Sequence, residues 1–473
     1  MNLTEPQSSP LTRPTPSEQE LREMERKYCS FGDTVHYLEP PKFFERAEGN
    51  YLIDREGVRF LDLQMWYSAA SFGYGNVRLN NALKNQIDTL PQLACQYLHT
   101  EKVELAAAIG RLNESKFGLA GRVHFNVGGS QAIEDSLKLV RNETGKSLVF
   151  AFQGGYHGRT LGASAITSSY RYRRRFGHFS DRANFVPFPY CFRCPYDKKR
   201  EDCDSYCVKQ FAKNFDTEYN SFWDAKAGES EFSAFYAEAI QGTGGYVIPP
   251  PNYFKELKKV LDERNILLVD DEIQMGFYRA GKFWAMENFG VSPDIIVFGK
   301  ALTNGLNPLS GVWAREELIT PEKFPPGSTH STFSSNTLGT AVALEMMRMT
   351  EEFDFEQITK VKGAYFLEQI KMLQRKYPKI IGDTDGIGLA LRIEICQADG
   401  RAPDRELTDR IFAEGMKGDL DVRGHKMGLV LDVGGYYKNV FTLAPSFEIT
   451  NEEIDLSMEM FEMLIKRCAP DRI

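Results

Sequence analysis

Two short runs of residues in the middle of the chain are apolar at every position. They are Ile266 to Val269 and Ile295 to Phe298. Because a continuous apolar run suits a strand that is covered on both faces, we predict two buried strands of a parallel sheet. Asp271 follows the first run and Lys300 follows the second. Ligands of open α/β sheets bind beyond the carboxyl ends of the strands, so we expect a carboxylate and an amine at one crevice.

The other predicted elements alternate between strands and helices. Alternating or continuous apolar runs predict strands, and apolar positions three or four residues apart predict helices. The predicted strands are 51–53, 59–63, 123–126, 148–152, 234–240, 388–395, 428–432 and 440–443, and the predicted helices include 78–89, 100–114, 251–264 and 451–467. The alternation between residues 123 and 300 predicts an α/β fold with a doubly wound, mostly parallel sheet.

The composition excludes several classes of protein. The chain has 473 residues, of which 42% are hydrophobic and 26% charged, and this length is enough for two domains. A net charge of −8 without a basic block predicts no nucleic-acid partner. No apolar run approaches the ~18 residues of a membrane helix, and the first residues have no apolar core of a secretory signal. We therefore expect no membrane association, and eight cysteines in reduced form in the cytoplasm.

A carboxylate and a lysine at one crevice have two interpretations. One is a structural salt bridge, because structural ion pairs also perturb pKa values. The other is a pyridoxal phosphate site, in which a lysine bonds covalently to the cofactor and an aspartate pairs with the protonated pyridine nitrogen. That aspartate must be ionised and must point at the ring.

The stretch that ends at Lys300 decides between these interpretations by its resemblance to a known family. It contains DEIQMGFYRAGK beginning at Asp271, then PD, then an apolar run and the lysine. This order resembles the signature of the class III aminotransferases, which are fold-type I pyridoxal phosphate enzymes. The resemblance implies that Lys300 is the Schiff-base lysine, that Asp271 pairs with the pyridine nitrogen and that Gln274 bonds the phenolic oxygen of the cofactor. Asp270 has no role in the family and is expected to be structural.

A second stretch predicts a phosphate site. The small residues Gly128, Gly129 and Ser130 lie between a predicted strand and a predicted helix. Backbone N–H groups at a helix N-terminus point at an anion, and the helix dipole favours it. Many such loops are only turns, but the family pattern N-x-G-[ST]-[ED]-A-x-E implies phosphate binding here. Gln131 departs from the acid that is usual in the family.

Two further motifs supply candidate cofactor contacts. GYHGRT, at residues 155–160, resembles the same motif in the family, which implies that Tyr156 stacks on the pyridine ring and that His157 positions other groups. Glu238 lies inside the predicted strand 234–240 and matches the glutamate of E-P-[VI]-Q-G-x-G-G, with alanine in place of proline. In members that act on ω-amino acids, this glutamate pairs with a substrate-binding arginine and acts as a gate.

The resemblance also implies a homodimer with shared active sites. THSTFSSN resembles H-[GS]-T-F-[GS]-[GS]-N, and in the family this threonine reaches the phosphate of the neighbouring protomer's cofactor, which here would be the role of Thr332. The alternative is an ordinary polar loop. Trp66 and Tyr67 occupy the place where amine-accepting members carry a tryptophan that lines the substrate pocket, and the alternative is that they belong to the core.

The chain departs from the family where a substrate carboxylate is usually held. Many members have an arginine two residues before a C-terminal A-P-P motif, and Thr442 stands there. Amine-accepting relatives use an arginine about ten residues earlier, where this chain has Asp432. With Glu238 and Asp432 present, we expect a cationic substrate tail, unless Asp432 is only a turn residue. The remaining candidates for a carboxylate contact are Arg159, Arg392 and Arg423.

Four cysteines lie in a predicted insertion at residues 188–215. They are Cys191, Cys194, Cys203 and Cys207, with the spacing C-x2-C-x8-C-x3-C. Four thiolates can hold a tetrahedral zinc ion. Because the two pairs lack the regular C-x2-C repeat, we favour a cysteine-rich surface loop and expect no metal.

The resemblance covers residues 45 to 465 and implies a large domain and a smaller α+β domain built from both termini. We predict a flexible arm at 1–25, the first part of the small domain at 26–76, the large cofactor-binding domain at 77–335 and the rest of the small domain at 336–473.

The predicted activity is transfer of an amino group from a primary amine to a keto acid such as pyruvate or 2-oxoglutarate. The amine is expected to be a diamine, a polyamine, an amino sugar or a basic amino acid. A fold alone does not fix the reaction, so a racemase, an epimerase or a decarboxylase on the same cofactor is the alternative. A more remote alternative is a non-catalytic binding protein that kept the fold.

Overall fold

The structure is a computed structural model that describes residues 16–32, 38, 40–173, 176, 177, 179 and 182–473. Its largest sheet is mostly parallel, as predicted. In spatial order its strands are Gly121–Asn126, Ser310–Arg315, Ile295–Phe298, Leu267–Asp271, Phe232–Ala237, Leu148–Phe152 and Asn184–Val186. The second of these strands runs antiparallel to both neighbours, and the remaining pairs are parallel. The antiparallel strand was absent from the sequence prediction.

Both faces of this sheet are covered, which explains the continuous apolar runs. On one face, Val269 packs in a buried cluster with Ile133 of the helix Gly129–Thr144. On the other face, Leu268 packs in a second cluster with Leu257. Successive residues of a strand point to opposite faces, so every position of the strand needs an apolar side chain.

The helices surround the sheet and continue to the end of the chain. They are Glu18–Tyr28, Met65–Ser68, Val77–Thr89, Thr100–Phe117, Gly129–Thr144, Leu161–Ile166, Tyr170–Arg173, Tyr206–Ala212, Tyr253–Asp262, Thr337–Glu352, Phe355–Lys376, Arg405–Gly415 and Asn451–Cys468. In the described part of the chain, none of them is both long enough and apolar enough to span a membrane.

Of two smaller sheets, the first combines segments from both ends of the chain and the second contains C-terminal segments alone. The first contains Phe44–Glu48, Tyr51–Asp54, Arg59–Asp62, His425–Val430 and Leu420–Val422, and the second contains Ile381–Ile387, Ala390–Ile395, Val440–Leu443 and Asp432–Gly434. A minor hairpin pairs Trp223–Asp224 with Glu229–Ser230. In the first sheet an N-terminal strand pairs in parallel with a C-terminal strand. This mixed sheet is consistent with a smaller domain built from both termini, whereas its boundaries remain a prediction.

Several local expectations need correction. The predicted arm contains the helix Glu18–Tyr28, which begins with a capping box between Ser17 and Glu20, and residues 1–15 of that arm lie outside the described residues. The predicted strand 234–240 ends at Ala237. Glu238 therefore lies just beyond the strand, where its carboxylate can accept hydrogen bonds from loop amides.

Candidate active site

Lys300 and Asp271 lie at the same edge of the central sheet. Their strands are parallel neighbours, with Asp271 opposite Val297, so both carboxyl ends open to one side. Lys300 follows three residues after Val297 and has a φ of 44°. A left-handed backbone is uncommon for a residue other than glycine and recurs at functional sites.

Asp271 is held by donors on both of its oxygens. It is 5% exposed, its Oδ2 lies 2.8 Å from His157 Nδ1, and its Oδ1 accepts from the Ile273 amide at 3.1 Å. Burial alone lowers the pKa of His157, but the hydrogen bond and charge of Asp271, together with Glu238, raise this pKa above its ordinary value. The hydrogen bond from His157 therefore fixes the position of the Asp271 carboxylate. The expectation that His157 positions another group agrees with this contact.

The amine of Lys300 is surrounded by acids but is also desolvated. Burial lowers the pKa of Lys300, and the charges of Asp271, Glu238 and Asp432 oppose that effect without cancelling it. A lysine with a lowered pKa has a larger neutral fraction, and the neutral amine is the form that acts as a nucleophile or a base.

Glu238 is bound by backbone amides. Its Oε1 accepts from the Tyr156 amide and its Oε2 accepts from the Gly242 amide, each at 2.8 Å. Burial raises the pKa of Glu238 to about 7, with Asp271 adding to the rise and His157 opposing it. Both oxygens are engaged, so Glu238 joins the loop at Tyr156 to the loop at Gly242.

The predicted phosphate site has the geometry of an open helix N-terminus. Gly128 precedes the helix Gly129–Thr144 without a side-chain cap, and the first turn contains no acid. The first N–H groups of a helix have no partner within the helix, so they are available to an anion. A Cβ added at Gly129 would come 2.9 Å from Cδ1 of Ile273, which lies two residues after Asp271 in the chain. Ser130 Oγ accepts a hydrogen bond from the Arg159 amide at 3.3 Å.

Gln274 and Tyr156 lie on the same side of the sheet. Gln274 Nε2 donates to the hydroxyl of Tyr246 at 3.1 Å, and that hydroxyl lies 3.2 Å from Ser68 Oγ. The ring of Tyr156 packs edge-on against Tyr172, with 5.0 Å between centroids. Sequence reasoning missed Tyr246, although its position directly after the glycines of the Glu238 motif was a usable signal.

Trp66 and Tyr67 are not core residues. They belong to the short helical segment Met65–Ser68, whose four residues all have a left-handed φ, between 44° and 68°. Trp66 is 53% exposed and Tyr67 is 37% exposed. The Trp66 ring packs against Gly305, five residues after Lys300, where an added Cβ would collide with the ring. The core alternative is therefore wrong: both aromatics lie at the surface, and Trp66 lies beside the lysine segment.

Asp432 lies in a strand rather than in a turn. It pairs with Thr442 across the hairpin, its Oδ2 accepts from Thr442 Oγ1 at 2.7 Å, and its Oδ1 accepts from Gln64 Nε2 at 3.3 Å. Burial raises the pKa of Asp432, against the lowering effects of these two hydrogen bonds and of Lys438 and Lys300. Thr442 and Asp432 stand at the two positions where family members carry a carboxylate-binding arginine, and here these two residues are hydrogen-bonded to each other.

The three arginines proposed as carboxylate contacts have other partners. Arg392 is almost completely buried and is paired with Glu394 and with Asp383. Arg423 pairs with Glu459 at 3.1 Å, and the guanidinium of Arg159 lies 4.6 Å from the centroid of the Tyr172 ring. Arg392 and Arg423 are therefore removed from the candidates.

The cysteine cluster lines a cavity of its own. Cys191, Cys194, Cys203 and Cys207 line one surface cavity of about 280 Å³ and are all free thiols. Burial raises the pKa of Cys191 and of Cys207 to about 11. In the described residues no group of three or more His, Cys, Asp or Glu is arranged to hold a metal. Thr332 is exposed.

Comparison with known proteins shows the family. The family model described as aminotransferase class-III matches residues 34–465. The chain belongs to the class III aminotransferases. It is an enzyme of that family, whose cofactor is pyridoxal phosphate, so the predicted family and cofactor are confirmed.

Three similar proteins show the range of this aminotransferase family. The alanine/serine racemase of Pyrococcus horikoshii is 32% identical over 96% of this chain and 91% of its own length. Ornithine aminotransferase 2 of Staphylococcus aureus is 30% identical, with coverages of 90% and 94%. An amine transaminase from an uncultivated Pseudomonas species, solved with pyridoxal phosphate bound, superposes with a TM-score of 0.80 at 24% identity, with coverages of 98% and 99%. The predicted fold-type I architecture is confirmed.

The residues at the crevice of this class III aminotransferase fit the cofactor. The helix start at Gly129 leaves amide donors without side-chain caps, as a phosphate requires. Asp271 lies at the same edge of the sheet as Lys300, and His157 Nδ1 is hydrogen-bonded to its Oδ2. The individual roles of these residues remain predictions.

Proposed function

We propose that the enzyme transfers an amino group from a primary amine with a second cationic group to a keto acid such as pyruvate or 2-oxoglutarate. The observation that carries the proposal is the acid at Asp432, which is bonded to Thr442 and lies within electrostatic reach of Lys300. An amine donor of this kind is a diamine, a polyamine, an amino sugar or a basic amino acid. The keto acid would receive the amino group and leave as an amino acid.

The cofactor, when bound, supplies an electron sink that acidifies the carbon next to the substrate nitrogen. In our proposal, the first turn of the helix that begins at Gly129 holds its phosphate, with Gly128 and Ser130 beside it. Asp271 faces its pyridine nitrogen, Gln274 its phenolic oxygen and Tyr156 one face of the ring. These assignments follow from the resemblance and from the shared edge of the sheet.

We assign proton transfer to Lys300. Its Nζ removes the proton from the amine-bearing carbon of the substrate as a general base and then returns the proton as a general acid. The lowered pKa of Lys300, caused by burial, supports this role because it brings the amine closer to neutral pH. His157 holds Asp271 in place through its Nδ1, and Glu238 fixes the loops at Tyr156 and Gly242.

Asp432 is the proposed recognition group for the cationic tail. Two unit charges 4 Å apart interact by about 4 kcal/mol at an effective dielectric constant of about 20, before desolvation. The sign of the charge at this position should therefore decide which amines are accepted. The similarity to an ornithine aminotransferase supports the proposal, since ornithine carries two amino groups. Trp66 and Tyr67, at the surface nearby, are the proposed apolar walls for the substrate.

Replacing Asp432 tests this proposal. We expect Asp432→Asn to reduce kcat/KM for diamines and basic amino acids by about 10- to 100-fold, because a charge-assisted contact is lost, while apolar monoamines change little. Asp432→Arg should reverse the preference. The matched control is Asp421→Asn, an exposed acid of the edge strand Leu420–Val422. Unchanged relative rates for cationic and apolar amines in both Asp432 variants would exclude Asp432 as the recognition group.

A racemase is the second candidate, and a specific similarity favours it. The alanine/serine racemase of Pyrococcus horikoshii is 32% identical to this chain. A racemase needs a second base besides Lys300, and Asp432 is a partly buried acid within electrostatic reach of Lys300. Inversion of an enantiopure amino acid without a keto acid, abolished in Asp432→Asn, would establish this alternative.

We further propose a homodimer with shared active sites, in which Thr332 reaches the phosphate of the partner's cofactor. The exposure of Thr332 in one chain and the 69% exposure of the neighbouring Phe333 support a surface that a second protomer covers. Mixed dimers of Lys300→Ala and Thr332→Ala should recover activity, because one site of each hybrid contains neither substitution. Equal activity of mixed and separate variants would contradict shared sites. The eight free cysteines support a cytoplasmic location.

A further inference from the structure

Lys438 is a cation beside the candidate substrate pocket that the activity proposed so far does not use. It lies in the hairpin turn between Asp432–Gly434 and Val440–Leu443, the two strands that carry Asp432 and Thr442. Its side chain is partly buried. Among the described residues, its Nζ forms no hydrogen bond and no ion pair within 4.0 Å.

The turn that carries Lys438 is fixed to the cofactor loops. The Gly435 amide donates to the Thr243 carbonyl at 3.0 Å, in the loop that follows Glu238. The hydroxyl of Tyr436 donates to the Gln153 carbonyl at 2.6 Å, in the loop that leads to Tyr156. Two anchors therefore hold the turn against the loops that Glu238 joins.

The backbone of Lys438 is held in a conformation that a lysine rarely adopts. Its φ is 56°, and its amide closes the turn by donating to the Gly435 carbonyl at 3.1 Å. A left-handed residue other than glycine costs about 1–3 kcal/mol and persists where the surroundings determine it. At this position the side chain is partly buried, and its charge interacts with that of Asp432.

The charges around Lys438 have both signs. Burial lowers the pKa of Lys438; Asp432 opposes that effect, whereas Arg171 and Arg405 add to it. The charge of Lys438 is felt in turn by Asp432, next to that of Lys300. Asp432 thus lies within electrostatic reach of one lysine at the sheet edge and of a second lysine in the hairpin turn, and its two oxygens are engaged by Thr442 and Gln64.

We propose that Lys438 binds the carboxylate of the keto acid acceptor. This inference rests on the proposed transamination, which alternates between a cationic amine and an anionic keto acid in one pocket. Asp432 provides the negative charge for the first substrate, and Lys438 provides the positive charge for the second. Arg392 and Arg279 cannot serve instead, because both are buried and engaged by groups of the protein.

Separate measurements of the two half-reactions test Lys438. In Lys438→Met we expect KM for pyruvate or 2-oxoglutarate to rise about 10- to 100-fold, because one charge-assisted hydrogen bond is lost. The value of kcat should stay within about twofold of wild type. The amine half-reaction, followed without keto acid, should change less than about threefold. Lys438→Arg should restore most of the keto acid affinity. The matched control is Lys426→Met, an exposed lysine of the strand His425–Val430.

Direct binding provides a readout that does not depend on turnover. Calorimetric titration of the cofactor-loaded enzyme with propionate and with glutarate, which cannot react, should give an affinity that falls about 10-fold or more in Lys438→Met and falls further with salt. Equal binding by wild type and Lys438→Met, or an equal loss in Lys426→Met, would overturn the proposal. Failure of the amine half-reaction in the wild type would instead count against transamination, while the titration still decides the role of Lys438.

Discussion

The strand Leu267–Asp271 and the next residue, Glu272, carry acids on both faces of the central sheet. The acids on the two faces differ in their hydrogen-bond partners. On one face, Asp271 has a donor on each oxygen, His157 and the Ile273 amide. On the other face, Asp270 is fully buried, and its side-chain hydrogen-bond partner in the described part of the chain is another acid, Glu272. Burial, together with the charge of Glu272, raises the pKa of Asp270 well above its ordinary value.

Glu272, the residue after the strand, also differs from Asp271 in its surroundings. Its Oε1 accepts from the Met286 amide at 2.9 Å, and its carboxyl also shares a hydrogen bond with Asp270. Burial raises the pKa of Glu272 to about 7. Three consecutive acids therefore differ because of their partners rather than their chemistry. Both oxygens of Asp271 accept hydrogen bonds at the crevice, whereas burial raises the pKa of Asp270 and of Glu272.

The largest expected effect is on the Asp271 side of this comparison. We expect Asp271→Asn to slow the amine half-reaction by about 100-fold or more, because the charge that faces the cofactor is lost while the size of the side chain is kept. Rapid mixing with amine in the absence of keto acid measures this rate. Asp270→Asn is the matched control and should stay within about twofold of wild type. Similar losses in the two variants would show that the two faces are not functionally distinct.

Replacing His157 should have an intermediate effect. We expect His157→Gln to slow the same half-reaction by about 10- to 100-fold, the usual range for a group that supports a site residue through a hydrogen bond. In the double variant with Asp271→Asn, the His157 substitution should have little further effect, because its partner is already lost. Full additivity of the two losses would mean that His157 acts independently of Asp271.

The smallest effect concerns stability on the Asp270 side. In the unfolded chain, Asp270 and Glu272 lose their protons near their usual pKa values of about 4, whereas in the folded protein burial keeps them protonated at higher pH. The folded state then binds more protons, so these groups make the free energy of unfolding fall as pH rises from about 4.5 through the pKa of Glu272, about 7.

Asp270→Asn should remove part of that penalty. We expect its free energy of unfolding at pH 8 to exceed that of wild type by about 1–3 kcal/mol, with a smaller gain at pH 6. Urea denaturation at the two pH values measures the difference. A loss of stability in Asp270→Asn that is the same at pH 6 and pH 8 would show that the buried acid is not a cost to the fold.

The sequence predicted the elements whose pattern reflects burial. The continuous runs at 266–269 and 295–298 are strands because both faces of the sheet are covered. The helix start at residue 451 was visible in its acids, and the capping box between Thr450 and Glu453 explains them. The strand Ser310–Arg315 was not among the predicted strands, and nothing in its composition indicates that it runs antiparallel to its neighbours.

At the site, the motif order predicts candidate residues but not their hydrogen-bond partners. Motif order placed Asp271, Gln274 and Lys300 at one edge, and the sheet register agrees. The engagement of Glu238 by two backbone amides depends on where the strand ends, which the apolar run did not mark. Lys438 has no sequence signal, because its role depends on a turn held by contacts more than a hundred residues away.

The most direct test of the account is a single turnover of the amine half-reaction. The enzyme, loaded with pyridoxal phosphate, is mixed with ornithine or a diamine without keto acid, and the cofactor and products are separated after quenching. We predict one equivalent of pyridoxamine phosphate and one equivalent of carbonyl product per Lys300, and neither in Lys300→Ala. Complete retention of pyridoxal phosphate, with an enantiopure amino acid converted to its mirror image, would contradict transamination and establish a racemase.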